Sequence, residues 1–264
     1  MAWWTLAMLA YPETQARAHV ELDAVVGRAR LLTFADLTHL PYIRAMVKEA
    51  LRWRSPAPLG APHRSTEDGW YDGIFIPKGT LCIANLWHMN RDPEIYGKNP
   101  EDFDPGRHLD PSGYVASGVP DVNLKEHGNF TFGFGRRNCI GRYMADIALF
   151  INIAVILWAT KFERKKDTTG HFLPLNLDSY VLGVPFQNEI LVESCFRHHA
   201  SCSTPLGWVN VRLVALVGFI TYSYVKTNVG ISADVRSRSN SRLLHASRRL
   251  LRCLHRNVSC GAYK

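Results

Sequence analysis

Cysteine is scarce over most of this sequence. Of six cysteines in 264 residues, only Cys82 and Cys139 precede Ser194. Two thiols exclude a disulfide framework for that stretch and point to a reducing compartment. Acidic residues are scarce elsewhere: residues 195–264 hold nine Arg and two Lys against one Asp and no Glu, while residues 1–194 hold 20 basic and 22 acidic side chains. The net charge of +8 therefore belongs to the tail and says little about the body. The start, MAWWTLAMLAYPE, lacks a basic region ahead of its apolar run, so no signal peptide is expected. That run stops at Pro12, too short to span a bilayer, and the apolar stretch Trp208–Val225 is interrupted by Asn210, Arg212 and Ser223. No internal repeat is present. The composition, 47% hydrophobic and 20% charged, excludes a disordered or collagenous chain.

Periodicity then places the elements. Pro12 suits the first turn of a helix and Gly27 its end, with Ala18, Leu22, Val25 and Val26 on one face. Pro41 opens a second helix whose apolar stripe is Ile43, Met46, Val47, Ala50 and Leu51, stopped by Ser55-Pro56. Residues 73–84 predict two short strands around a Pro77-Lys78-Gly79 turn. Residues 87–138 are irregular and rich in Asp, Asn, Pro and Gly, the kind of long loop that often carries function. Gly141 to about Trp158 predicts a third helix, apolar on nearly all sides and hence buried. Short strands and turns are expected over 159–190.

The chemistry concentrates in Asn129-Phe-Thr-Phe-Gly-Phe-Gly-Arg-Arg-Asn-Cys-Ile-Gly-Arg142. Cys139 follows a loop with two glycines, which permit close backbone approach to something bulky. It also precedes a long helix, whose unpaired N–H groups favour an anion such as a thiolate. Arg136, Arg137 and Arg142 add positive potential. A nucleophile, a redox sensor and a metal ligand are all compatible with this pattern. No further Cys or His stands at zinc spacing, C-x-x-C-H is absent, and the glycines do not form G-x-G-x-x-G.

The pattern Phe132-x-x-Gly135-x-Arg137-x-Cys139-x-Gly141 resembles the haem-binding signature of the cytochrome P450 superfamily at all five fixed positions. Glu49-Ala-Leu-Arg52 resembles the E-x-x-R of that family's K helix, and Phe103-Asp-Pro-Gly-Arg107-His108 its later P-x-R-aromatic/His segment. The Phe75–Gly79 segment and the Arg91-Asp-Pro93 step match in the same order, so the similarity covers roughly residues 1–190. Ile140 stands where many members have Pro.

The resemblance implies an α+β fold, mainly α with small β-sheets: the C-terminal, proximal part of a cytochrome P450 domain. It would hold the end of an I-like helix at Trp3–Pro12, J and K helices, a β hairpin, meander, haem loop, L helix and terminal strands. It implies haem b as cofactor, with Cys139 as the thiolate ligand of the iron. Arg137, Arg64 and His63 become haem-propionate partners, and Phe132 lies on the proximal haem face, with Gly135 and Gly141 shaping the loop. Glu49, Arg52 and Arg107 become a structural network behind it. His88, His108 and His127 are expected at the surface or behind the site rather than on iron.

The activity implied is haem-thiolate monooxygenation of a small apolar organic substrate. Electrons would come from NADPH-cytochrome P450 reductase on the cytosolic face of the endoplasmic reticulum in a full-length parent, docking near Arg136, Arg142 and Lys125. The acid-alcohol motif of the I helix, the substrate-recognition loops and the N-terminal anchor have no counterpart here, so a truncated, catalytically inactive fragment is the alternative. After Tyr180–Ile190 the resemblance stops and composition jumps to Arg, Ser, Cys and Val. Residues 191–264 thus read as intron or frame-shifted translation, or as a basic tail for nucleic acid or acidic lipid. The tail's scattered charges and the lack of an RNA-binding signature argue against nucleic acid.

Overall fold

A computed structural model describes residues 1–115, 129–164, 166–177, 180–181, 184–185 and 192–196. Its helices are α1 (Ala2–Ala10), α2 (Pro12–Val25), α3 (Pro41–Trp53), α4 (Leu86–Met89), α5 (Pro93–Tyr96) and α6 (Arg142–Ala159). Its strands are β1 (His63–Arg64), β2 (Gly69–Tyr71), β3 (Ile74–Ile76), β4 (Leu81–Cys82), β5 (Thr160–Arg164), β6 (Tyr180–Val181), β7 (Val184–Pro185) and β8 (Val192–Phe196). They form two-stranded antiparallel pairs, β1–β4, β2–β3, β5–β8 and β6–β7. Short 3-10 turns lie at Phe34–His39, Pro105–His108 and Gly135–Arg137. The mainly helical expectation with small sheets holds.

The chain divides into two compact units, one of Met1–Leu40, Ala148–Leu175 and Asn188–Lys264, the other of Pro41–Ile147 and Asn176–Gln187. β8 pairs with β5 from Thr160↔Phe196 to Arg164↔Val192. The rest of the basic tail, residues 197–264, lies outside the described residues, as do Lys125 and His127.

In the first unit the apolar α1 contributes Trp4, Leu6, Ala7, Met8 and Leu9 to the core. It packs on α2 and β5, and the Trp4 and Phe162 rings meet edge to face at 5.7 Å. The buried side of α2 holds Ala18 and Leu22, continued by Val26 just past its end, as the spacing predicts, while Val25 is half-buried; it also holds Gln15 and His19. These polar groups answer β5. Gln15 Nε2 donates to Phe162 O at 3.0 Å, Phe162 N donates to Gln15 Oε1 at 2.7 Å, and His19 Nε2 lies 3.2 Å from Thr160 O. One glutamine amide therefore imitates a neighbouring strand along an edge of β5, where buried peptide groups need partners.

Only part of α6 meets the expectation of a helix buried all round. Its second half supplies Phe150, Ile153, Leu157 and Trp158 to the first unit's core, while Tyr143, Met144 and Ile147 are exposed. By length and composition α6 could cross a membrane; its buried second half reads instead as a core helix.

In the second unit α3 buries Ile43, Met46, Val47 and Leu51, with Ala50 half-buried. The same helix carries Glu49 and Arg52, both at 0% exposure. The two strands expected around Pro77-Lys78-Gly79 exist but do not pair with each other. β3 pairs with β2 and β4 with β1, two partners the hydrophobic pattern did not reveal. Asp72 and Gly73, at φ 49° and 76°, supply the left-handed pair that a tight hairpin turn requires. The later turn instead joins two ladders, with Ser65 N donating to Thr80 O at 2.9 Å and Gly79 N to Ser65 O at 3.0 Å. On the β2–β3 ribbon Trp70 and Phe75 share one face, at 5.1 Å between centroids, and Tyr71 and Ile74 the other. All four are exposed.

Removing the Gln15 amide leaves the Phe162 N–H and C=O without partners in a buried place. Each such orphan costs about 1–3 kcal/mol. Gln15→Leu is thus expected to lower the unfolding free energy by about 2 kcal/mol or more and to speed amide exchange in β5, read by urea titration and hydrogen exchange.

Candidate functional site

The second unit is organised by one buried carboxylate. Glu49 Oε1 accepts from Arg52 NH2 at 2.7 Å, the Asp104 amide at 2.9 Å and Arg107 Nε at 3.1 Å. Glu49 Oε2 accepts from Arg52 Nε at 2.7 Å and faces His108 Nε2 at 2.8 Å. A carboxylate only accepts, so His108 carries its proton on Nε2. Arg52 finds an acceptor for every donor: besides Glu49, its NH1 donates to Asn90 O and Pro100 O at 2.7 Å each, and its NH2 to Asp102 O at 3.0 Å. Arg107 gathers Tyr96 O at 2.7 Å and Asn99 O at 3.2 Å. The irregular chain from 90 to 108 thus satisfies its carbonyls on two guanidinium forks anchored to α3. Arg91 adds a brace: it stands 3.5 Å above the Trp87 ring, donates to Trp53 O and pairs with Glu101 at 2.9 Å.

The electrostatics follow from this packing. Burial pushes the Glu49 carboxyl upward, but the hydrogen bonds and charges around it prevail and hold it at about 2. Burial lowers His108, against the opposing pull of Glu49, so the ring stays neutral. Burial and the neighbouring Arg54 charge bring Arg91 down to about 10, still charged at neutral pH.

Cys139 lies on the loop between the Gly135–Arg137 turn and α6, free and exposed. Its amide donates to Phe132 O at 2.9 Å, and Arg142 N lies 3.4 Å from Cys139 O. A Cβ on Gly141 would sit 3.7 Å from the Cys139 sulfur. Gly133 and Gly135 take φ 74° and 65°, and a Cβ on either would meet nothing within 4 Å. The loop therefore bends in the left-handed region beside open space. Exposed apolar side chains flank the thiol: Phe134, Ile140, Tyr143, Met144 and Ile147, the last four at helical spacing i, i+3, i+4, i+7. Arg136 and Arg137 are exposed, and Arg142 donates to the Tyr143 hydroxyl at 2.9 Å while lying 4.4 Å from its ring centroid.

The loop is tied to α3 at its other end. Asn90 Oδ1 accepts from the Phe130 amide at 2.8 Å, Asn90 Nδ2 donates to Thr131 Oγ1 at 3.2 Å, and Thr131 Oγ1 donates to Leu51 O at 2.7 Å.

Of the residues singled out by sequence, the structure brings together Glu49, Arg52 and Arg107. It also joins Phe132, Cys139 and Gly141 in one loop. His63 and Arg64 sit on β1, exposed, where Arg64 Nε donates to Gly79 O at 3.1 Å. His88 is exposed, whereas His108 is buried on Glu49. Sequence reasoning passed over His108 as a member of the network, and Asn90 and Thr131 as its link to the loop. Their signal was proximity to motifs: His108 follows Arg107, Asn90 precedes Arg91-Asp-Pro93, and Thr131 sits inside the cysteine stretch.

Comparison with known proteins decides the family. The family model described as cytochrome P450 matches residues 1–182. The chain belongs to the cytochrome P450 family. It is 61% identical over 196 residues to a cytochrome P450 monooxygenase of Armillaria gallica, covering 72% of this chain and 37% of that protein. It is 49% identical over 183 residues to cytochrome P450 monooxygenase 58 of Postia placenta (69% and 34% coverage). It is 41% identical over 245 residues to cytochrome P450 monooxygenase iboC of Amanita muscaria (74% and 43% coverage). The chain spans about a third of the length of the first two relatives. Membership of the P450 family implies a haem cofactor. The site suits one in its chemistry: an exposed thiol, an arginine-rich loop with left-handed bends at Gly133 and Gly135, and an exposed apolar strip on the helix that follows.

The network sets an acid sensitivity. Glu49 is held at about 2, below its ordinary 4.5, so the unfolded chain binds more protons as pH falls between these values. Stability present above 4.5 is lost on the way down, by roughly 3 kcal/mol in full. His108 is lowered from 6.5, so the unfolded chain also takes up a proton first below 6.5. The urea midpoint is expected to fall as pH drops through 6.5 and again below 4.5. His108→Gln keeps a donor for Glu49 but does not titrate, and should flatten the first decline; a midpoint independent of pH from 7 to 4 would contradict the assignment.

Proposed function

We propose that this chain is the C-terminal, haem-ligating part of a haem-thiolate monooxygenase, with Cys139 as the proximal ligand of haem b. The observation that carries the reading is the exposed Cys139 thiol at the mouth of α6, on a loop bent at Gly133 and Gly135 and braced by the buried Glu49 cluster. When bound, the haem supplies the oxygen activation that lets one oxygen atom enter an organic substrate. The chain's own groups prepare for it. The Cys139 sulfur, as thiolate, donates electron density, the property that distinguishes this ligand class. The first turn of α6 offers N–H groups that have no partner within the helix and favour the anionic sulfur. Arg137 is exposed on the same loop and suited to a carboxylate; Arg64 and His63 are assigned the same task from β1. Phe132 and the glycines set the loop's shape, and Glu49, Arg52 and Arg107 hold its foundation without touching the reaction.

Ligation is assigned to this chain and turnover to the whole protein, because the chain spans about a third of the relatives cited. In that protein the substrate is a small apolar organic molecule, and the setting is the cytosolic face of the endoplasmic reticulum. The supporting feature for a reductase contact is the exposed Arg136 with Arg142 around the cysteine loop, a basic patch suited to an acidic electron donor.

Two measurements test this. The chain loaded with hemin, reduced and exposed to CO is expected to show the red-shifted Soret band of a thiolate ligand, and Cys139→Ser to abolish it. Persistence of that band in Cys139→Ser would end the assignment. In the full-length protein, Arg136→Glu with Arg142→Glu is expected to slow reduction by the reductase several-fold at low salt without changing haem content. The difference should shrink as ionic strength rises and the Debye length falls below about 10 Å. Equal rates at low salt would remove the docking site.

A further inference from the structure

Asn90 is fully buried, and its polar atoms are all engaged with two different parts of the second unit. Its backbone carbonyl accepts from Arg52 NH1 at 2.7 Å, which ties it to the Glu49 cluster. Its side chain points to the cysteine loop, taking the Phe130 amide at 2.8 Å and giving to Thr131 Oγ1 at 3.2 Å. Tyr96, over whose ring Arg52 lies at 5.1 Å, adds its hydroxyl at 3.5 Å from Asn90 Oδ1. Beyond Thr131, the Phe132 carbonyl accepts from the Cys139 amide at 2.9 Å. An unbroken run of bonds and one peptide link thus leads from Arg52 through Asn90 to the peptide of Cys139. Phe130 is buried against Leu86, so the loop cannot shift there without exposing apolar surface.

We propose that Asn90 is the positioning residue of the cysteine loop: its amide fixes where Phe130 and Thr131 begin the turn, and through Phe132 fixes where Cys139 presents its sulfur. The proposal rests on the reading of Cys139 given above only for what the sulfur ligates; the positioning itself is a property of the chain. The two tasks need an acceptor and a donor on one short side chain. A leucine of similar size offers neither donor nor acceptor. An aspartate keeps the acceptor for Phe130 but loses the donor to Thr131, whose own hydroxyl proton is committed to Leu51 O.

The test uses the full chain without haem and then with added hemin. Hydrogen exchange of peptides covering 129–139 is compared with that of α3 in Asn90→Leu, Asn90→Asp and Thr131→Val. Phe103→Leu, a core change beside Trp53, is the control for general loss of stability. Asn90→Leu is expected to speed exchange over 129–139 by about tenfold or more while α3 changes little, with the other two variants between it and wild type. The control is expected to speed both regions in step. In the hemin-loaded chain the fraction showing the thiolate band should fall in the same order. Unchanged exchange over 129–139, or exchange that rises only in step with α3, overturns the proposal. If Asn90→Leu does not fold, Asn90→Asp and Thr131→Val decide by the same criterion. Selective loosening of the loop in a chain that never shows a thiolate band upholds Asn90 and overturns the ligand assignment instead.

Discussion

The irregular chain that follows Asn90 in the second unit depends on the Glu49 carboxylate having no access to water. A buried ion survives only when it is neutralised and each lone pair is met. Glu49 meets this condition with two arginines, a histidine and a backbone amide. Apart from Arg52 on the same helix, its partners Asp104, Arg107 and His108 lie more than fifty residues downstream, so the irregular chain from 90 to 108 is fixed in space by satisfying one charge. In that stretch, between Asn90 and His108, regular structure is limited to the single turn of α5 and the Pro105–His108 3-10 turn. Its order derives from guanidinium forks taking carbonyls that no ladder would otherwise take.

Such a cluster is a means of specification more than of stability. Well-packed apolar residues of the same volume often serve stability as well as a buried ion pair does. Apolar side chains would not, however, dictate which carbonyl of the loop lies where. The forks at Arg52 and Arg107 do, and a lysine could not, having a point charge and three donors in place of a planar fork. The cysteine loop at Phe130–Cys139 is joined to these forks through Asn90.

How far the sequence disclosed this is uneven, and the reasons are physical. α2, α3 and α6 were legible because proline and glycine punctuate them and because apolar residues recur at helical spacing. Gln15 and His19 were not, since a polar residue on a buried face breaks the period that the eye follows; only β5, over 140 residues away, explains them. The Pro77-Lys78-Gly79 turn was legible as a turn, but not as a link between two ladders. Pairing partners are a non-local property, and β1 and β2 are too short to carry a pattern. The motif around Cys139 identified the candidate site because its spacing is strict. Arg52 and Glu49 were legible as a pair at i, i+3, yet the amide that couples them to the loop, Asn90, sits in a stretch whose composition says only "irregular".

The β2–β3 ribbon carries one more consequence. Trp70 and Phe75 occupy one face and Tyr71 and Ile74 the other, so the ribbon has no polar side. In an ordinary half-buried strand a one-residue slip exchanges apolar for polar faces and is strongly resisted. Here a slip would exchange one apolar face for another, and burial supplies no error signal. Register information resides instead in the left-handed pair Asp72–Gly73. The side chains of the ribbon are thereby free to vary among apolar types, while those two residues are not.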